Sequence, residues 1–183
     1  AGYDKAFFNL AKCYLGGVGV EKDQQEALKW FEVSAEKGDM DSQNLVATFY
    51  MRGMGTVADP GKAAYWYEKA SAQGMPGATG DLALLYLNGD GVGKDVQKAI
   101  DLLQTSSRKG YPPAMFNLGV LYQTGQGISK DNTKALKWYI IAGQLGYGPA
   151  QEAANLLSAD LSQIQVNQAQ KEAKEWLEKR AEN

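Results

Sequence analysis

In the stretch Gly89-Asp90-Gly91-Val92-Gly93-Lys94-Asp95, closely spaced glycines precede a lysine, the arrangement by which a backbone cradles phosphate groups. That chemistry fails on its last residue. A phosphate loop needs Ser or Thr after the lysine to hold Mg²⁺ and needs a strand before it, whereas Asp95 stands in that place and a helical pattern precedes the loop. Asn88 and Asp90 are oxygen donors suggestive of a calcium loop. The twelfth position, where a bidentate glutamate would complete the shell, is Ala99. Four regularly spaced aspartates, Asp23, Asp59, Asp95 and Asp131, have the offset of helix caps, and a general acid is not needed four times. Histidine is absent, which removes the usual general base, the Ser/His/Asp and Cys/His arrangements and the commonest metal ligand. Cys13 is the single cysteine; its equivalents at the step described next, Phe49, Leu85 and Leu121, are apolar, so a packed thiol is expected. No catalytic residue, cofactor or metal is expected, and hydrolysis by paired carboxylates ranks far below binding.

The elements that position these residues repeat every 36 residues. Tyr14, Tyr50, Tyr86 and Tyr122 keep that step, as do Ala27, Ala63, Ala99 and Ala135. So do the glycine series Gly17, Gly53, Gly89, Gly125; Gly19, Gly55, Gly91, Gly127; and Gly2, Gly38, Gly74, Gly110, Gly146. A fixed period of this size marks a stacked repeat architecture. Within a unit, Ala6, Leu10, Cys13 and Tyr14 share one face of a helix A running roughly from Asp4 to Leu15. Glycines break it, Asp23 caps helix B with Glu26 placed for a capping box, and Gly38 ends it in a left-handed turn. Trp30, Trp66 and Trp138 lie on the inner face of helix B, and Pro76, Pro112, Pro113 and Pro149 separate successive units.

The expected fold is all-α: an α-solenoid of antiparallel helix pairs forming one domain, with repeats at 3–38, 39–74, 75–110 and 111–146. Residues 147–183 form a degenerate capping unit whose long, charged last helix runs from Ser162 to Glu182. Because Tyr3 aligns with Tyr111 and Tyr147, the chain reads as the C-terminal part of a longer array. Ile140 and Ile141 break the polar outer face of helix B, either beneath the last helix or as a second contact surface. A net charge of −2 without a basic stripe disfavours nucleic acid, and no apolar run is long enough for a membrane span.

Ala114 to Gly146 carries Leu118-Gly119, Tyr122, Gly125, Gly127, Asp131, Ala135, Trp138-Tyr139, Ala142 and Gly146, and in this it resembles the Sel-one-like repeats (SLR), relatives of the tetratricopeptide repeats. The resemblance covers four units. It implies a right-handed solenoid whose A helices line a concave surface, in a family that mostly scaffolds or binds proteins and peptides. Many bacterial members are exported, which leans this chain towards an exported or periplasmic place. Cysteine-rich members linked to penicillin binding have a disulfide in each repeat, which this chain lacks.

Function is then expected where exposed positions differ between repeats. On helix A these are Phe8, Asn9 and Lys12; Asn44, Thr48 and Arg52; Asp81 and Asn88; and Phe116, Asn117 and Gln123. Asn9 and Asn117 stand where, in tetratricopeptide repeats, an asparagine lies in the groove. Asparagines pair with a peptide backbone, Lys12 and Arg52 suit a carboxylate, and Phe8 and Phe116 are apolar anchors. The expected function is a non-catalytic scaffold or adaptor for a protein or peptide partner. The alternatives are a structural spacer or a regulatory domain of a larger protein.

Overall fold

Four of the helix-to-helix loops are closed by the two residues that keep the period most visibly. The amide of the capping aspartate donates to the carbonyl of the tyrosine nine residues before it: Asp23 to Tyr14, Asp59 to Tyr50, Asp95 to Tyr86 and Asp131 to Tyr122, at 2.8–2.9 Å. The aspartate then turns its carboxylate to the next helix. Asp23 Oδ1 accepts from the amides of Gln25 and Glu26, Asp59 Oδ1 from that of Lys62 and Asp131 Oδ1 from that of Lys134.

The computed structural model describes residues 3–181 and the side chains of residues 5–180. Gly2, the Tyr3 side chain and Glu182 lie outside them. Ten helices and no strands are found among the described residues. Contacts gather them into two compact units, Ala1–Asp95 and Val96–Asn183. The first holds α1 (Tyr3–Gly16), α2 (Gln24–Glu36), α3 (Met40–Arg52), α4 (Pro60–Ala72) and α5 (Pro76–Asn88). The second holds α6 (Val96–Arg108), α7 (Pro112–Thr124), α8 (Asn132–Gln144), α9 (Gly148–Ala159) and α10 (Gln163–Ala181).

Among the described residues, every glycine with positive φ belongs to one of the three series, and no other residue type adopts it. In the middle series, space constrains as much as conformation. A Cβ on Gly91 would strike the backbone of Pro60 and Gly61 at the start of α4, just as one on Gly55 would strike Gln24 and Gln25 at the start of α2. These two loops thus press on the first turn of the preceding helix B, a Cβ on Gly127 would meet the Val96 side chain, and one on Gly19 would meet nothing within 4 Å, so the interlock belongs to the later loops.

In the first unit consecutive helices pack pairwise, α1 on α2 through α4 on α5. The Phe31 ring stands edge-on between Phe8 and Phe49, at 5.6 and 5.7 Å. Alanines let the helices approach. Ala11, Ala27, Val46, Ala47, Ala63, Ala70, Ala78 and Ala83 are fully buried. Ala6, expected on the core face of α1, is exposed, whereas its equivalents Ser42, Ala78, Ala114 and Ala150 are buried on A helices that also pack against the helix before them; Ala11 is buried where α1 packs on α2. Cys13 is half-buried. Glu26 does not complete a capping box; it pairs with Lys29 at 2.5 Å, since the Asp23 amide is already spent on Tyr14.

In the second unit α6 packs on α7, α7 on α8, and α8 on both α9 and α10. Ile141 is fully buried in a cluster with Met115, Ala142, Ala150 and Ala173, and Ile140, Trp176 and Leu177, partly buried, pack against that cluster. Ile141 therefore lies in the core beside α10, and Ile140 stays partly exposed in a cleft lined also by Val166 and Gln170 of that helix. That last helix begins with a reciprocal cap, in which the Ser162 amide donates to Gln165 Oε1 and the Gln165 amide to Ser162 Oγ. Lys137 of α8 pairs with Glu172 at 3.3 Å, and Trp138 meets Trp176 edge-on at 5.9 Å.

Candidate functional site

Side chains of α3, α4 and α5, among them the core residues Tyr67 and Leu85, line a cleft of about 340 Å³ in the first unit. Thr48, Met51 and Arg52 come from α3, Tyr67 from α4, and Asp81, Leu84, Leu85 and Asn88 from α5, with Asp90 from the loop that follows. Thr48, Arg52, Asp81 and Asn88 are four of the residues expected from sequence, brought together from two helices separated by a third.

The cleft is built around a hydroxyl at its back. Thr48 Oγ1 donates to the Asn44 carbonyl one turn earlier at 3.0 Å and lies 3.3 Å from the Tyr67 hydroxyl. Tyr67, buried on α4, reaches between α3 and α5 to do so. Burial pushes its phenol up to about 12, with the neighbouring Asp81 charge adding to the shift. Asp81 is half-buried, and burial raises its carboxyl above the ordinary aspartate value; the Tyr67 hydroxyl and the Arg52 charge pull in the other direction without cancelling it. Arg52 itself is exposed at the rim and forms no ion pair with Asp81 within 4.0 Å. Asn88 Nδ2 donates to Asp90 Oδ2 at 3.1 Å, so these two are tied to each other across the mouth. No group of three potential metal-ligating side chains occurs among the described residues.

The other expected residues fall elsewhere. Lys12 is exposed with its ammonium 5.6 Å from the Phe8 ring centre, and Asn9 is exposed beside them. Phe8 is half-buried against Phe31, so one side of its ring serves the core. Asn44 is half-buried, and its side-chain oxygen has no hydrogen-bond partner among the described residues. In the second unit Phe116 is wedged between Tyr139 and Tyr147 at 5.4 and 5.5 Å, Asn117 is half-buried, and Gln123 Oε1 accepts from the Tyr139 hydroxyl at 2.7 Å. Sequence reasoning missed Tyr67, which the aromatic pattern assigns to the core. Its 36-residue series, Phe31, Tyr67, Leu103 and Tyr139, carries the signal: a hydroxyl in half of otherwise apolar positions must find a partner.

Four successive helix pairs, α1–α2 to α7–α8, of 13 or 14 residues per helix and closed by the same Asp-to-Tyr backbone bond, define an α-helical repeat protein of the solenoid class. The chain belongs to the Sel1 repeat family, which matches residues 5–39, 41–75, 78–111, 112–147 and 151–183; the expected capping unit is thus a fifth repeat. Sel1 repeat proteins generally mediate protein–protein interaction, typically as non-catalytic scaffolds. The crystal structure of c5321, a protective antigen of uropathogenic Escherichia coli strains displaying an SLR fold, is similar, with a TM-score of 0.88 and 30% identity. The similarity covers 97% of this chain and 38% of that one. A Sel1 repeat protein from Oxalobacter formigenes is also similar, with a TM-score of 0.81 and 26% identity over 98% of this chain and 71% of that one. No curated protein matches the sequence significantly. Among the described residues no helix is long and apolar enough to cross a membrane.

Proposed function

We propose that this chain is a non-catalytic scaffold that binds a segment of a protein partner along the helix A face of its repeats, with the cleft between α3 and α5 as the principal contact. The single observation that carries this reading is the convergence of Thr48, Arg52, Asp81 and Asn88 on one cleft. One 36-residue step back from these four stand Lys12, Gly16, Leu45 and Arg52, so the set does not recur as a structural element would. The lining offers carboxylates, a guanidinium, hydroxyls and an amide beside Met51, Leu84 and Leu85, a recognition set without a nucleophile–base pair. The likeness to a protective antigen supports placing this chain outside the cytoplasm as well.

Affinity capture from lysate and envelope fractions tests the reading, with native chain beside Asn88→Trp, which fills the cleft from an exposed position. A protein retained by the native chain and lost from an equally helical variant is the expected result. Equal retention by both would remove the cleft from the binding surface.

A further inference from the structure

Among the described residues Arg52 is the single cation lining the cleft, and it faces two carboxylates, Asp81 and Asp90. Asp81 is the more deeply placed of the two. It is half-buried, shares the cleft lining with Tyr67, and forms no ion pair within 4.0 Å among the described residues. A partly desolvated carboxylate in that condition lacks the charge-assisted partners that normally repay its burial. The phenol beside it does not satisfy it, because Thr48 donates to the Asn44 carbonyl and the Tyr67 hydroxyl is therefore the donor to Thr48. Met51 and Leu84, both half-buried, add apolar surface to the same lining.

The repeat itself does not need this arrangement. At the 36-residue step Asp81 is replaced by Asn9, Leu45 and Asn117, and Tyr67 by Phe31, Leu103 and Tyr139. A half-buried carboxylate facing a buried phenol occurs at one place in an otherwise uniform array, at a cost in stability that packing does not explain.

We infer that the cleft takes a basic side chain, lysine or arginine, of the bound partner segment, its charge set between Asp81 and Asp90 and its methylenes along Met51 and Leu84. This rests on the reading that the helix A face binds a partner segment. Long basic side chains carry an apolar stem and a charged head, and the cleft lining offers both apolar and acidic surface. With two carboxylates to one guanidinium, the cleft favours a cation over the carboxylate that Arg52 alone would favour. Arg52 at the rim then opposes the incoming charge, and removing it strengthens binding.

An array of short acetylated peptides of constant background, with Lys, Arg, Glu or Leu at the central position, tests this against the full chain at up to about 1 mM, where even weak complexes register. The native chain is expected to retain the Lys and Arg peptides above the Glu and Leu peptides. Asp81→Asn, nearly isosteric, lowers that retention about tenfold, and Asp90→Asn, in an exposed loop, lowers it less. Arg52→Gln raises it. Preference for Glu peptides, weakening by Arg52→Gln, or indifference to Asp81→Asn each overturns the inference. Peptides retained regardless of the central residue, and lost with Asn88→Trp, would overturn it while leaving the proposed function standing. Retention of no peptide overturns the inference, and the capture experiment then decides the proposed function by itself.

Discussion

The Tyr50 hydroxyl donates to Glu32 Oε1 at 2.5 Å, and the same relationship recurs 36 residues on between Tyr86 and Glu68 at 3.0 Å. Each bond fastens a helix B to the helix A that follows it, α2 to α3 and α4 to α5. The tyrosine that closes a loop through its carbonyl therefore also joins two repeats through its side chain. In the second unit the position equivalent to Glu32 and Glu68 is Gln104, so the charge-assisted form is confined to the first unit.

Tyr50→Phe is expected to lower stability by about 1 kcal/mol at neutral pH, the worth of one such bond. Burial, and then the bond to Glu32, push the Tyr50 phenol from 10.0 up to about 12. The folded state holds this proton more tightly than the unfolded chain. The contribution is thus complete below pH 10 and disappears as pH rises towards 12. Tyr67 and Tyr139 are pushed to about 12 as well, so thermal melting should fall steeply across that interval and less steeply in Tyr50→Phe. A Tm that is flat from pH 10 to 12 would contradict this.

Asp81 has the opposite consequence. Its raised pKa means that the native state favours the protonated form, so ionised Asp81 detracts from stability at neutral pH. That penalty shrinks as pH falls through the native pKa and is gone below the ordinary value of 3.8. Asp81→Asn should therefore melt above the native chain at pH 7, with the gap closing under acid. Calorimetry at a series of pH values reads the difference directly. A variant less stable than the native chain at pH 7 would show that Asp81 is held by stronger partners than Tyr67 and Arg52.

Two glycines two residues apart should respond differently to the same change. Gly91 has φ of 69° and presses on Pro60 and Gly61, so Gly91→Ala is expected to cost about 2 kcal/mol or more. A Cβ on Gly93 meets nothing within 4 Å, and Gly93→Ala should stay within about 0.5 kcal/mol. Urea unfolding of the two variants checks the contrast, and equal effects would remove the interlock between loop and preceding helix.

The contact of α8 with α10 is tested in the same way. Ile141→Ala should cost about 2–5 kcal/mol, because the residue is fully buried between Met115 and Ala173. Ile164, 81% exposed on α10, should tolerate alanine within about 0.5 kcal/mol.

The 36-residue period, the glycines of positive φ and the aspartate caps are legible in the amino-acid sequence by itself, because each is settled within a few residues by backbone conformation and local hydrogen bonding. The Sel1 repeat resemblance follows from the same residues. Other features required the packed chain. A solenoid helix has neighbours on more than one side, so helical periodicity does not say which stripe is buried. Ala11, Ala47, Ala83 and Gly119 share the period and are all buried, and so are Ser42, Ala78, Ala114 and Ala150 in the stripe through Ala6, so spacing does not show that Ala6 itself is exposed. Glu26 was free to cap or to pair with Lys29 until the Asp23 amide found Tyr14. Ile140 and Ile141 were ambiguous until α10 packed beside them. The cleft depended most on tertiary structure: Thr48, Tyr67 and Asp81 lie on three successive helices, and only their packing sets a phenol from the core between a threonine and a half-buried carboxylate.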